Sequence, residues 1–175
     1  MSKRFIVFFT VILAALALVA VNVLSQETKK EETKPAHEYV GVTKCKICHK
    51  DVYTAWSKTG HATAYDKLSD EEKKKPECVQ CHITGTTAKG ELLEGVQCEA
   101  CHGPGSDYKS PKIMNKKKWE ADPEGQLAMA KEAGLVIPTE ETCVRCHKKE
   151  GNPNFKPFDF AKRVGMVHPI GGEDE

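Results

Sequence analysis

All eight cysteines and four of the seven histidines of the chain fall into one repeated unit. It reads Cys45-Lys46-Ile47-Cys48-His49, Cys78-Val79-Gln80-Cys81-His82, Cys98-Glu99-Ala100-Cys101-His102 and Cys143-Val144-Arg145-Cys146-His147. Two thiols one helical turn apart can add to the two vinyl groups on one edge of a porphyrin. The residue that follows then swings its imidazole under the iron as the proximal ligand, which is the attachment chemistry of c-type haem. Structural disulfides are open to an exported chain, yet they give no reason for a histidine after every pair. Zinc knuckles also use C-x-x-C pairs and histidine, but export and the fourfold Cys-His adjacency weigh against them. Redox C-x-x-C motifs do not come in fours. The expected cofactor is therefore haem c, four copies, covalently bound.

Counting axial ligands narrows the chemistry further. His49, His82, His102 and His147 are proximal, which leaves His37, His61 and His168 as candidate distal ligands. A low-spin electron-transfer haem needs a sixth ligand. Three distal imidazoles for four irons leave at least one iron without a histidine partner. That iron is five-coordinate or takes Met114, Met129 or Met166, and such methionines more often only pack. One open haem is expected.

The elements that position these groups must come from a chain poor in aliphatic residues. Leu, Ile, Val and Phe make up 22 of the 150 residues from Gln26 onward, below the level at which a chain builds an ordinary core. A conventional enzyme with a large aliphatic core is not expected. The near-neutral charge, +1 over 175 residues, argues against disorder and against a broad basic nucleic-acid face. Four large apolar macrocycles resolve the shortfall: the haems are the core, and the fold should depend on them. The expected class is mainly α, a small multihaem cytochrome c fold with short helices, long loops and little or no strand.

Domain organisation follows from composition. Lys3 and Arg4 precede an apolar run from Phe5 to Leu24 broken only by Thr10 and Asn22. Residues 1–25 are expected to be a signal peptide cleaved before Gln26, or an N-terminal membrane anchor, since the run is long enough to span a bilayer. Residues 26–36 read as a flexible polar linker. Residues 37–175 form the tetrahaem domain. Within it, Asp51 to Lys58 predicts a short helix whose Tyr53 and Trp56 pack on a haem face. Ser69 with Glu72 forms a capping box opening a Lys-rich helix that stops at Pro76. Gly85 to Gly95 is a loop or hairpin, and Gly103-Pro104-Gly105 a tight turn. Lys116 to Lys118 reads as a solvated basic face. Asp122-Pro123 starts a helix that ends at Gly134. Thr139 caps the helix carrying the fourth motif, and Asp159 to Val167 presents His168.

Several of these segments resemble the cytochrome c-554 family of tetrahaem proteins. Tyr39-Val40-Gly41 leads into the first motif, Trp56 is followed by Gly60-His61-Ala62, and the third motif continues into Gly103-Pro104-Gly105. The resemblance covers roughly Tyr39 to Pro169. It implies a helical, haem-dominated fold with haems in closely stacked pairs, and electron delivery from periplasmic nitrogen-compound oxidation. It implies that His61 is a distal ligand, that His168 corresponds loosely to the family's C-terminal histidine, and that the second haem, on His82, is five-coordinate. One departure stands out. In the family a distal histidine follows the Gly-Pro-Gly turn, whereas residues 106–122 here hold none; His37 is the candidate replacement.

The leading functional expectation is an electron carrier rather than an enzyme, because saturated bis-histidine haems only pass electrons. It would work in the periplasm between redox proteins, with no nucleic-acid partner, and would meet the membrane only if residues 5–24 are retained. Two alternatives stand: a reductase or sensor of a small molecule such as nitric oxide at the open haem, and a membrane-anchored quinol-oxidising subunit.

Overall fold

Local chemistry starts most of the helices. The computed structural model describes residues 37–168; the expected export segment and linker, and residues 169–175, lie outside them. The described elements run α1 (Val42–Cys45), α2 (Lys50–Trp56), 3-10 turns at Tyr65–Lys67 and Glu72–Lys74, α3 (Pro76–Val79), β1 (Ile83–Thr86), β2 (Leu92–Glu94), α4 (Cys98–His102), α5 (Lys116–Ala121), α6 (Pro123–Glu132), α7 (Glu140–Val144), α8 (Phe160–Arg163) and a 3-10 turn at Val164–Met166. Proline opens α3 and α6, where its missing N–H costs nothing. The Asp122 side chain accepts from the Gly125 N–H at 2.9 Å. Asp159 caps α8 through the Lys162 N–H at 3.3 Å.

The sequence expectations hold with local differences. The predicted helix at Asp51 to Lys58 forms as α2. The Ser69–Glu72 box is made: the Ser69 N–H donates to Glu72 at 2.8 Å and the Glu72 N–H donates back to Ser69 Oγ at 3.3 Å. It opens a 3-10 turn rather than an α-helix, because Pro76 follows too soon for another turn. The basic run Lys116 to Lys118 is exposed as expected, but it also forms α5, capped by Asn115. The last helix tightens to a 3-10 turn at Val164.

The strands form an antiparallel hairpin that pairs Gly85 with Leu93 and Thr86 with Leu92, with an irregularity between Ile83 and Gly85. Thr84 is buried at this irregularity. Its hydroxyl donates to the Gly95 carbonyl at 2.8 Å and accepts the Gln97 N–H at 2.7 Å. The hairpin thus ends directly in α4. Among the described residues the buried apolar side chains are Trp56, Ala64, Leu68, Leu93, Tyr108 and Ala130. That is a thin core for a chain of this size. Among the described residues, no helix is long and apolar enough to cross a membrane.

Candidate haem-binding site

Each C-x-x-C-H unit is wound into a single turn. The His49 N–H donates to the Cys45 carbonyl at 3.0 Å, and the His147 N–H to the Cys143 carbonyl at 3.0 Å. The His82 N–H reaches the Val79 carbonyl at 2.8 Å, and the third unit is α4 itself. No disulfide joins any of the eight cysteines, which leaves their thiols available for thioether bonds. Among the described residues, no three of His, Cys, Asp and Glu converge to hold a metal ion.

The third unit is the hub. Glu99, at its second position, is 1% exposed. Its carboxylate accepts the Gly41 N–H at 2.7 Å, the Gly105 N–H at 2.6 Å and the Val40 N–H at 3.0 Å. One side chain therefore fixes the lead-in to the first unit and the Gly-Pro-Gly turn after the third. The neighbouring Gln97 accepts the Val42 N–H at 2.8 Å. On the far side, the Arg145 guanidinium donates to the Ala100 carbonyl at 2.7 Å, which ties the fourth unit to the third.

Thiol contacts give the same neighbourhood. Cys45 donates its S–H to Cys98; this raises the Cys45 thiol well above its ordinary range and lowers that of Cys98. Burial first, and then a hydrogen bond with Cys81, pushes Cys146 up to about 12. The first unit thus sits beside the third, and the second beside the fourth.

The histidines divide into distinct settings. The rings of His61 and His147 stand 6.0 Å apart, and those of His102 and His168 stand 6.3 Å apart. Two metal–nitrogen bonds of about 2 Å, plus the half-width of a ring at each end, come to about 6 Å. Each gap therefore suits one iron between two imidazoles. His102 Nδ1 lies 3.2 Å from the Val136 carbonyl, and His82 Nδ1 lies 2.6 Å from the Ala64 carbonyl. An Nδ1–H held by a carbonyl leaves Nε2 as the metal-binding nitrogen. His168 Nδ1 is buried without a hydrogen-bond partner. Burial is the main cause that lowers His61, His102 and His147 below the ordinary histidine value, and it keeps them in the neutral form that binds metal. Phe158 stacks on His147 at 4.6 Å. His49 is exposed at the start of α2.

His37 sits elsewhere. Its Nδ1 lies 2.7 Å from Asp107 Oδ2, and its ring lies over Gly134. Of the candidate methionines, Met166 is 65% exposed, Met129 contacts the Gln126 amide through sulfur at 3.6 Å, and Met114 is half-buried.

These residues fit covalently attached haem. Ile47 and Val144, inside the first and fourth units, are apolar and exposed, as expected of side chains that cover a macrocycle. The His61 turn and the His82 unit are held by one strap: the Val96 N–H donates to the His61 carbonyl at 2.9 Å and the Gly95 N–H to the His82 carbonyl at 3.1 Å. The Trp56 indole donates to the Val96 carbonyl at 2.9 Å, which fixes this buried ring beside the strap. Sequence reasoning missed Glu99, Gln97, Asp107 and Arg145. The bare N–H groups of Gly41 and Gly105 were the available clue to Glu99.

Comparison with known proteins agrees with this reading. Residues 44–103 match the family model described as cytochrome c554 and c-prime. Cytochrome c-554 of Nitrosomonas europaea is 31% identical over 144 residues, which cover 66% of this chain and 60% of that protein. The chain thus spans less than two thirds of the length of that relative. A solved structure of the reduced state of cytochrome c554 from Nitrosomonas europaea aligns with a TM-score of 0.49 at 24% identity, over 75% of this chain and 78% of that one.

Proposed function

The chain belongs to the cytochrome c554 family, whose members carry covalently bound haem c, and from that premise we propose that it is an exported tetrahaem electron carrier serving periplasmic redox proteins. The observation that carries the proposal is the pair of imidazole gaps, His61–His147 at 6.0 Å and His102–His168 at 6.3 Å. Haem c at each unit would supply a one-electron ferric/ferrous couple. The chain's own task is to fix those couples close together and to close their coordination. The cysteine pairs anchor them, and the carbonyls of Ala64 and Val136 orient the imidazoles of His82 and His102. Arg145 and Glu99 lock the units against one another. An iron held between two imidazoles has no position left for a substrate, so electron transfer is the chemistry that remains.

A second reading concerns one iron only. Seven histidines cannot fill eight axial positions, and the haem on His82 is the proposed open one. It would bind a small ligand such as nitric oxide.

The purified protein tests both readings. Acid–acetone should leave about four haem masses on the polypeptide, and N-terminal sequencing should begin near Gln26. Carbon monoxide added to the reduced protein should perturb about a quarter of the Soret intensity. Extractable haem would refute the carrier. A chain that keeps Met1 and stays with membranes would favour an anchored, quinol-oxidising subunit.

A further inference from the structure

We propose that Asp107 is a positioning carboxylate that presents His37 as the sixth ligand of the haem on His49, and that it holds this iron at a lower reduction potential than a lone imidazole would. The proposal rests on the tetrahaem reading and adds to it a residue and an electronic role.

The geometry places His37 on the side of the first and third units. Its segment runs along the turn after the third unit: the Ser106 N–H donates to the Glu38 carbonyl at 3.1 Å, and the Glu38 N–H donates to Ser106 Oγ at 3.0 Å. The same segment passes through Glu99 into α1, which carries Cys45. A Cβ built on Gly134 would stand 2.8 Å from His37 Cδ2, 2.9 Å from Cγ and 3.2 Å from Nε2, so the ring lies face-on over this glycine. Gly134 has φ +98, which suits glycine twice over. Asp107 takes Nδ1 at 2.7 Å. Two constraints therefore fix the ring and leave Nε2 as its free nitrogen.

Elimination names the iron. His61 faces His147, and His168 faces His102. His82 is tied to Ala64 and the Gly95 strap, on the hairpin side. His49 interacts electrostatically with His102, and its Cys45 touches Cys98. Of the two proximal histidines with no imidazole ring paired to them among the described residues, His49 belongs to the unit that His37's own segment leads into through Glu99, so the proposal assigns His37 to it.

The chemistry of the pair sets the sign. A carboxylate on Nδ1 draws that proton toward itself and makes Nε2 a stronger donor. A stronger donor favours ferric over ferrous iron. Asp107 follows Gly103-Pro104-Gly105-Ser106, where the family resemblance calls for a distal histidine. Here that stretch supplies the carboxylate, and the imidazole comes from residue 37.

Redox titration and low-temperature EPR of the intact holoprotein test this, with haem content measured on every sample. His37→Ala should convert one low-spin ferric haem to high-spin. His37→Met should keep it low-spin and raise one potential. Asp107→Asn should leave the low-spin count unchanged and raise the potential of one haem by about tenfold in the ferric/ferrous preference, or about 59 mV. Asp107→Glu should recover much of that shift. Asp107→Ser, which removes the carboxyl group altogether at this exposed position, should raise the same potential. An unchanged low-spin count in His37→Ala refutes the ligand. Unmoved potentials in both Asp107→Asn and Asp107→Ser refute the carboxylate's role. In either case four retained haems leave the tetrahaem reading intact, whereas fewer than four would sink that reading first.

Discussion

Replacing Glu99 with glutamine should destabilise the holoprotein by about 2–4 kcal/mol. The carboxylate collects three backbone donors: Gly105 at 2.6 Å, Gly41 at 2.7 Å and Val40 at 3.0 Å. A carboxamide keeps one oxygen and turns an NH2 toward donors that need an acceptor. At least one buried N–H is left unpaired, and the others lose a charged partner. Hydrogen bonds to charged groups are worth about 1.5–3 kcal/mol each, and an orphaned buried donor costs about 1–3 kcal/mol. For a domain near this size, about 1 kcal/mol moves the midpoint by roughly 2–4 °C, so the variant should melt roughly 5–15 °C lower. Glu99→Ala, which orphans all three donors, should lose more still. Thermal unfolding followed by far-UV circular dichroism reads the global loss, and amide exchange at Val40, Gly41 and Gly105 localises it. A glutamine variant within about 0.5 kcal/mol of wild type, the range of an ordinary surface change, would refute the claim that Glu99 joins the first and third units.

Gly95→Ala should be destabilising by about 1–3 kcal/mol, since Gly95 has φ +76 and a Cβ there would stand 2.7 Å from the Ala62 carbonyl; denaturant midpoints of the holoprotein check it. The same variant should loosen the turn that presents His61, which would appear as partial high-spin character at one haem. Stability should also fall with acid. His61, His102 and His147 are the proposed axial ligands, and a proton competes with the iron for the same imidazole nitrogen. Burial also lowers all three below the ordinary 6.5, so the unfolded chain, which releases those nitrogens, takes up protons first as the pH drops through 6.5. The contribution is full above that value and is lost on the way down to the depressed folded values. Urea midpoints at about pH 8 and about pH 5 should differ in that direction; a flat or reversed profile contradicts it.

The four C-x-x-C-H units were legible because their chemistry is local: every residue of each lies within one turn. Helix starts at Asp122-Pro123 and Asp159 were legible for the same reason, since a cap and its first turn are neighbours in sequence. What the sequence did not reveal is long-range. Glu99 reaches Val40 and Gly41 across nearly sixty positions, and no periodicity marks a single charged residue that satisfies distant backbone donors. Arg145 on Ala100 and Asp107 on His37 are likewise meetings of separate segments. Lys116 to Lys118 carries no apolar stripe, so α5 went unread; its Asn115 cap was the only local sign. The indole N–H of Trp56 on the Val96 carbonyl, forty positions away, is another meeting of separate segments. Counting histidines gave candidate distal ligands but no partners; the ring separations of His61 from His147 and of His168 from His102 are what the proposed pairings rest on.

The most direct test is low-temperature EPR of the fully oxidised, four-haem protein with spins quantified against haem content. Three low-spin ferric irons are expected, held by His37, His61 and His168 opposite His49, His147 and His102, and one high-spin iron on His82. His61→Ala should add one high-spin iron and leave the other low-spin signals in place. A wild-type spectrum with two or more high-spin irons, or one that His61→Ala leaves unchanged, would contradict the imidazole pairing on which the account rests.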